Sequence, residues 1–257
     1  MRIAVSGKGG SGKTTITGLI ARIMARDGHK VLAIDADPNP NMGLAMGVSR
    51  ERVEALSAIP TTMAHWEEDD NGQAFVKMHA PLAQIAADYG INAPDGIRLL
   101  VTGQISEAGA GCACSSHTLA RGLMADVGDW AEFILTDMEA GLEHLSRGTT
   151  EHADIMLVVV EPYFRSLDTG ARAAPLARAL GIPNIFFVAN KIRRESEEQA
   201  VQELADKKGF ELISMIPHDE CFPEADRLGF SPLDFAPMSP AVQEITRLAR
   251  KLEARAV

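Results

Sequence analysis

Residues 7–14 read Gly-Lys-Gly-Gly-Ser-Gly-Lys-Thr and directly follow a short apolar run at residues 3–5. The spacing Gly-x-x-x-x-Gly-Lys-Thr is typical of a phosphate-binding loop between a strand and a helix. Glycines let the backbone turn so that successive N–H groups face phosphate oxygens, and the following helix adds the positive end of its dipole. The stretch therefore predicts a nucleoside triphosphate site in the order strand, loop, helix.

Short β-branched apolar runs alternate along the chain with segments whose apolar residues recur at helical spacing. The runs lie at residues 3–5, 31–34, 97–101, 133–135, 155–160, 185–188 and 212–216. Near-continuous apolar strands separated by helices indicate a parallel sheet that is covered on both faces. We expect an α/β fold with a mostly parallel central sheet of about seven or eight strands, flanked by helices on both faces.

The 257 residues are interpreted as a single domain, 1–257, with an irregular insertion at about 49–96. The insertion contains prolines at 60, 81 and 94 and the acidic run His65-Trp-Glu-Glu-Asp-Asp70. We expect it to be partly helical and the acidic run to be a solvated loop.

Composition limits the classes of partner. The net charge of −10 makes nucleic acid and anionic membranes poor default partners, and no apolar run approaches the ~18 residues needed to cross a bilayer. Three cysteines do not make a disulfide framework, and no signal peptide fits the N-terminal residues. We therefore expect a cytoplasmic protein that contacts neither nucleic acid nor membrane.

The motif of the phosphate loop predicts a role for each of two consecutive residues. Lys13 is expected to reach the β- and γ-phosphates, and the hydroxyl of Thr14 to bind Mg²⁺. The predicted phosphate-binding residues are Gly9, Gly10, Ser11, Gly12, Lys13, Thr14 and Thr15.

Two acidic residues, Asp35 and Asp37, end the second apolar run, and Asp137 ends the run at 133–135. Ligands of open α/β sheets bind at the carboxyl ends of the strands, so these carboxylates are expected near the phosphates. The dipeptide Asn190-Lys191 and the segment Pro217-His218-Asp219 follow two later runs and are expected at the same edge.

An ordinary phosphate loop does not need its second lysine, Lys8. With it, the run at 8–14 resembles the deviant loop of the MinD, ParA and nitrogenase iron protein class of ATPases. The resemblance implies that Lys8 crosses a dimer interface to the partner's nucleotide, where two apposed triphosphates need added positive charge. It also implies that Asp37 positions the attacking water and that Asp137 is an outer-shell Mg²⁺ partner.

The same resemblance assigns residues to the nucleotide base. Asn190 and Lys191 resemble the base-reading pair of this class, and Arg193 stands where a guanine-specific site would have aspartate, which favours ATP over GTP. Pro217 and Asp219 are interpreted as lining the adenine, with a plain turn as the alternative. Residues 138–141 would be the switch that senses the γ-phosphate.

The second informative motif is Cys112-Ala-Cys114. Two thiolates at this spacing can chelate one metal ion but give half of a tetrahedral site. A second subunit across a two-fold axis would supply the other two sulfurs. His117 is a further candidate ligand. The alternative interpretation is two small buried cysteines in a glycine-rich turn.

Taken together, the loop, the Asp-Ala-Asp-Pro-Asn run at 35–39, the cysteine pair and residues 137–148 resemble the CooC family of nickel-insertion ATPases, which mature carbon monoxide dehydrogenase. The resemblance covers nearly the whole chain. It implies a homodimer with slow, dimerisation-coupled ATP hydrolysis. It also implies Ni²⁺ or Zn²⁺ held between two Cys-x-Cys motifs and delivered to a client nickel enzyme such as carbon monoxide dehydrogenase. The alternatives are a ParA- or MinD-like positioning or partitioning ATPase and, with less support from the cysteine spacing, an iron–sulfur reductase component.

Overall fold

The computed structural model describes residues 1–103, 114–125 and 130–256. An eight-stranded sheet forms its centre, and a separate two-stranded hairpin lies in the region between residues 49 and 96. The strands are β1 (Arg2–Gly7), β2 (Val31–Ala36), β3 (Ala64–Glu68), β4 (Ala74–Met78), β5 (Ile91–Asn92), β6 (Arg98–Val101), β7 (Phe133–Met138), β8 (Ile155–Val160), β9 (Asn184–Ile192) and β10 (Glu211–Pro217).

Helices connect most of these strands, and two single turns of 3₁₀ helix lie at Thr61–Met63 and Pro94–Gly96. The α-helices are α1 (Lys13–Arg26), α2 (Met42–Ala45), α3 (Arg50–Glu54), α4 (Leu82–Tyr89), α5 (Cys114–Ala125), α6 (Glu143–Ser146), α7 (Phe164–Ala179), α8 (Glu195–Lys208), α9 (Cys221–Leu228), α10 (Pro232–Phe235) and α11 (Pro240–Glu253).

The central sheet has the order β10-β9-β8-β1-β7-β2-β6-β5. Its strands pair in parallel except β5, which runs antiparallel to β6 at the edge. The predicted α/β fold with a mostly parallel sheet is therefore confirmed. β1 lies between β8 and β7, and β2 follows β7, so the turns after these four strands meet at one edge.

Both faces of the sheet are buried. In β1, Ile3 and Val5 pack into the cluster that includes α1 and α11, while Ala4 packs into the cluster that includes α7. Successive residues of a strand point to opposite faces, so near-continuous apolar strands are what a doubly covered sheet requires. This arrangement holds β1 and α1 rigidly on either side of the phosphate loop.

The insertion differs from its prediction in one respect. The run at residues 65–70 was expected to be a solvated loop, and this is wrong for its first part, because β3 pairs antiparallel with β4. The strand is stabilised by its charges: Lys77 on β4 donates to Glu67 at 3.0 Å, and His65 lies 2.9 Å from the same carboxylate. Glu67 therefore shares one face of the hairpin with His65 and Lys77, opposite the face that carries buried Val76.

The C-terminal helix α11 packs on the sheet through one apolar face that includes Val242, Ile245 and Leu248. Two arginines near it are paired with acids of neighbouring elements, Arg250 with Asp27 and Arg255 with Glu211. The helix is thus an ordinary amphipathic packing element. Within the described ranges, no helix is both long and apolar enough to cross a membrane.

Candidate functional site

The phosphate loop connects the buried strand β1 to α1. Gly10 and Gly12 have φ values of 80° and 95°, which favour glycine because a Cβ would be strained there. A Cβ on Gly12 would also collide with the amide nitrogen of Asn190. Ser11 N donates to Lys8 O at 3.1 Å and closes the turn. The loop therefore presents its backbone and the N-terminus of α1 to the same edge of the sheet.

Lys13 and Thr14 begin α1 and face the carboxylates at the ends of the neighbouring strands. Lys13 is buried, and its Nζ lies 3.9 Å from Asp37 Oδ2. Thr14 Oγ1 donates to Asp137 Oδ2 at 2.5 Å. Asp35 is also buried and accepts from Met42 N at 2.8 Å, so it caps the short helix after β2. The structure thus brings together Lys13, Thr14, Asp37 and Asp137, as the sequence predicts.

Burial raises the pKa of the Asp137 carboxyl to about 8, and the neighbouring charge of Asp35 adds to this. Burial also raises the pKa of Asp35 to about 6. Lys13 opposes the shift of Asp137 but does not cancel it. This edge of the sheet therefore holds more buried negative charge than its lysine neutralises.

A divalent cation fits this surplus of negative charge. Among the described residues, Asp137 Oδ1 is buried without a hydrogen-bond partner, and the Thr14 hydroxyl lies against the other oxygen of the same carboxylate. Hydroxyl and carboxylate oxygens are the ligands that Mg²⁺ prefers. The donor set fits the Mg²⁺ that the sequence predicts.

The residues expected to read the base also brace the loop, and their role toward the base stays a prediction. Asn190 Nδ2 donates to Ser11 O at 2.7 Å, and Lys191 Nζ donates to Gly10 O at 2.5 Å. Lys191 has a φ of 61°, unusual for a lysine. Its ammonium also pairs with Glu161 Oε1 at 2.9 Å. The loop is therefore held from the β9 side as well as from the β7 side.

Sequence reasoning missed Glu161. It follows β8 directly, is buried, and also accepts from the Tyr163 hydroxyl. An acidic residue at the carboxyl end of a strand next to β1 was the signal that could have found it. Tyr163 in turn lies beneath Lys8, whose Nζ is 5.3 Å from the ring centroid.

A cavity of about 510 Å³ opens beside the loop. The loop side of its wall includes Gly10, Gly12, Lys13, Thr14 and Thr15, and the other side includes Asn190, Lys191, Pro217 and Asp219. The wall also contains apolar side chains that sequence reasoning did not single out, among them Leu44, Phe222 and Phe230. A polar phosphate end and an apolar far end suit a nucleotide.

Asp219 contributes to this cavity through its loop. Its carboxylate accepts from Cys221 N at 3.0 Å and from Ala241 N at 3.5 Å, so it shapes the turn between β10 and α9. A hydrogen-bonding role toward adenine stays a prediction for Asp219.

The predicted switch, residues 138–141, lies directly against the loop. Gly141 N donates to Gly7 O at 3.1 Å, and the space beside Gly9 is bounded by the Ala140 side chain. Behind it, Ser6 Oγ and His144 Nε2 lie 2.9 Å apart in the interior. Burial lowers the pKa of His144 to about 3, so this imidazole is neutral.

The cysteine motif lies mostly beyond what the structure describes. Cys112 is outside the described residues, and Cys114 begins α5. Within the described ranges, no group of three or more His, Cys, Asp or Glu side chains could hold a metal ion. His117 was expected as a candidate ligand, but both ring nitrogens have protein partners: Nε2 lies 3.1 Å from Glu139 Oε2 and Nδ1 lies 3.2 Å from Thr149 Oγ1.

Comparison with known proteins agrees with this geometry. Residues 3–231 match the model of the CobQ/CobB/MinD/ParA nucleotide binding domain. The chain is 39% identical to the carbon monoxide dehydrogenase accessory protein CooC of Rhodospirillum rubrum, over 92% of this chain and 91% of that protein. It is 35% identical to an uncharacterized ATP-binding protein of Methanocaldococcus jannaschii, over 96% of each chain.

Solved structures show the same fold. The septum site-determining protein MinD of Pyrococcus horikoshii, complexed with Mg-ADP, has a TM-score of 0.75 at 20% identity, covering 99% of this chain and 96% of that one. The MinD cell division protein of Aquifex aeolicus has a TM-score of 0.69 at 22% identity, covering 98% and 97%. The chain therefore belongs to the CobQ/CobB/MinD/ParA nucleotide-binding family and is an ATPase of the CooC type.

Replacing Asp137 by asparagine preserves the shape of the side chain and removes its charge. The carboxyl ionises near pH 3.8 in the unfolded chain but near pH 8 in the folded one. The free energy of unfolding of the nucleotide-free protein therefore falls as the pH rises through this window. We expect Asp137→Asn to raise that free energy by more than about 1 kcal/mol at pH 8.

Urea unfolding without Mg²⁺ at about pH 6.5, 7.2 and 8 measures this effect as the difference in pH slope between the parent protein and the variant, since both contain buried His144. The decline with pH should be flatter in the variant. Mg²⁺-dependent stabilisation by nucleotide should be lost at the same time. If the free energy of unfolding of the variant fell with pH as steeply as that of the parent protein, Asp137 would not be a buried group that is protonated in the folded chain.

Proposed function

We propose that this ATPase works as a homodimeric metallochaperone, which binds ATP with Mg²⁺ and carries nickel to carbon monoxide dehydrogenase or a related nickel enzyme. ATP binding would close two subunits around a shared metal ion, and hydrolysis would open them. The CooC relative supports the client, since it is a carbon monoxide dehydrogenase accessory protein and is aligned with nearly the whole chain.

The different positions of the two loop lysines carry the proposal. Lys13 is buried and faces Asp37, where it would contact the phosphates of its own subunit. Lys8 is half-buried, and its ammonium lies over the Tyr163 ring. A second lysine that is directed away from the carboxylate cluster suits a nucleotide that belongs to another subunit.

The surface around Lys8 also suits a second copy of the chain. Tyr163 is 43% exposed and Phe164 is 82% exposed, although both are large aromatic residues. Aromatic side chains are enriched in the cores of protein interfaces, and a lysine over an aromatic ring is easily reoriented. Dimer closure would bury these rings and move Lys8 toward the partner's triphosphate.

Hydrolysis would use the carboxylate cluster. The Thr14 hydroxyl would bind Mg²⁺ with Asp137 as its outer-shell partner, and the ion would neutralise charge on the β- and γ-phosphates. Lys13 would neutralise the phosphates from the other side. Asp37 lies beside Lys13 and is not fully buried, so its carboxylate can orient a water molecule for attack on the γ-phosphate.

The cargo site would consist of Cys112 and Cys114 from each of two subunits. Four thiolates related by a two-fold axis complete a tetrahedral site that one chain cannot make. Such a site takes Zn²⁺ or Ni²⁺. Because the sulfurs would come from both subunits, the metal would be released when the dimer opens.

Replacing Lys8 by alanine tests the two-subunit switch. We expect Lys8→Ala to bind nucleotide within about twofold of the parent affinity, because Lys13 and the loop backbone are intact. ATP turnover should fall at least about tenfold, the loss expected when one transition-state contact is removed. ATP-dependent dimerisation, followed by analytical ultracentrifugation with a non-hydrolysable analogue, should be lost.

Two variants calibrate this measurement. Lys13→Ala should lose nucleotide binding itself, and Lys207→Ala, an exposed lysine on α8, should behave like the parent protein. Normal ATP hydrolysis by Lys8→Ala would show that the loop is an ordinary one and that this reading of Lys8 is wrong.

Replacing both Cys112 and Cys114 by alanine tests the cargo site. The parent protein should bind roughly one Ni²⁺ or Zn²⁺ per dimer in an anaerobic titration, because two motifs share one tetrahedral site. The double variant should lose this binding and keep nucleotide affinity. Cys221→Ala is the matched control, since Cys221 lies on α9 beside the nucleotide cavity and burial raises its thiol pKa to about 11. Stoichiometric metal binding retained by the double variant would exclude the proposed site.

A further inference from the structure

Helix α5 begins at Cys114 and carries His117 less than one turn later. His117 is buried between two partners on different segments, Glu139 and Thr149. With Nε2–H donating to Glu139, Nδ1 accepts the Thr149 hydroxyl, so the two contacts together select one neutral tautomer. Burial lowers the pKa of His117, which agrees with a neutral ring.

Glu139 belongs to the segment that touches the phosphate loop. It lies two residues after Asp137, whose carboxylate accepts from Thr14, and two residues before Gly141, whose N–H donates to Gly7 O. Both ends of this short segment are therefore tied to the nucleotide site. A displacement of residues 138–141 by a γ-phosphate would move Glu139 as well.

We propose that the contact between His117 and Glu139 transmits the nucleotide state to helix α5, and thereby sets the metal affinity of the cysteine motif at the start of that helix. The second clause rests on the proposed metallochaperone function, whereas the first does not. His117 is a positioning residue in this scheme. Its two partnered ring nitrogens leave it no free ligand atom.

The contact suits this role because it joins α5 directly to the segment that follows Asp137. The His117–Glu139 hydrogen bond lies in a mostly buried environment, where polar contacts are stronger than in water. Coupling of this kind is reciprocal: if ATP strengthens metal binding by some factor, metal must strengthen ATP binding by the same factor.

The test uses two substitutions of the same histidine. In His117→Asn the amide can reach Thr149 but not Glu139, whereas in His117→Gln the amide nitrogen can take the place of Nε2 and still donate to Glu139. Thr149→Val is the matched control, because it removes the other partner of His117 and keeps the shape of a fully buried side chain. Thermal unfolding identifies any variant that fails to fold, and the surface-accessible partner substitution Glu139→Ala then replaces it.

The first measurement follows the backbone amides of α5 by hydrogen exchange in the full-length protein, with ADP or with a non-hydrolysable ATP analogue plus Mg²⁺. The parent protein, His117→Gln and Thr149→Val should show a difference in α5 protection between the two nucleotides. His117→Asn should show none, although it binds both nucleotides. A full difference in His117→Asn, or none in the parent protein, would overturn the proposal.

The second measurement is anaerobic titration with Ni²⁺ in the same two nucleotide states. We expect the dissociation constant of the parent protein to change by about fivefold or more, within the usual range of allosteric coupling, and that of His117→Asn by less than about twofold. Nucleotide-free Ni²⁺ affinity should be equal in both, which a ligand role for His117 would not allow. Cysteine-dependent binding with the same affinity in both states would overturn the link to metal and leave the metallochaperone function standing. Absence of cysteine-dependent binding would overturn the function, while the exchange experiment still decides the link to α5.

Discussion

The site depends on buried carboxylates held beside one buried lysine where β1 turns into α1. Asp35 and Asp137 are out of contact with water, and Lys13 neutralises part of their charge. Without ligands, the folded protein reduces this cost by protonating Asp137, which is what its raised pKa means. A bound cation removes the same cost by a different route. The same buried charge therefore lowers the stability of the ligand-free site and raises its affinity for a cation.

That constraint also ties the segment after β7 to the phosphate loop. Asp137 cannot change its charge or its partners without affecting Thr14, because their side chains share a 2.5 Å hydrogen bond. The residues that follow are tied back to the loop by the bond from Gly141 to Gly7. A displacement caused by a bound phosphate would therefore be confined to the few residues between Asp137 and Gly141. The sheet on either side is close-packed and would not take up this displacement.

The sequence predicts the parts of this arrangement that are local in the chain. The glycine loop, Lys13 and Thr14 follow from one motif, and Asp37 and Asp137 follow from the rule that strand ends meet at one edge. Glu161 obeyed the same rule but belonged to no motif, so its pairing with Lys191 became visible only in the folded chain. The contact of His117 with Glu139 joins residues on two separate elements, and neither residue has a pattern that points to the other.

The hairpin β3–β4 shows another limit of sequence reasoning. Its first strand is acidic and was interpreted as a loop, because charge runs are usually solvated. The strand forms because the partner strand supplies Lys77 and because Val76 packs against the core beside α5. A charge pattern on one strand indicates exposure of one face, and cross-strand partners decide whether that face belongs to a sheet.

Two lysines beside the phosphate loop, Lys8 and Lys191, differ in how strongly their ammonium groups are held. The energies of their contacts indicate which of the two can move. Lys191 is held by the buried carboxylate of Glu161 and by Gly10 O, and charge-assisted hydrogen bonds of this kind are worth about 1.5–3 kcal/mol each. Lys8 has no carboxylate within ion-pair distance among the described residues, and its contact with the Tyr163 ring is worth about 0.5–1 kcal/mol where it is exposed. The attraction of a triphosphate on a second subunit would be stronger than the contact of Lys8 with the Tyr163 ring. It would be weaker than the two hydrogen bonds of Lys191 together. Lys191 therefore stays with its own loop, whereas Lys8 can exchange its contact with the ring for a stronger partner.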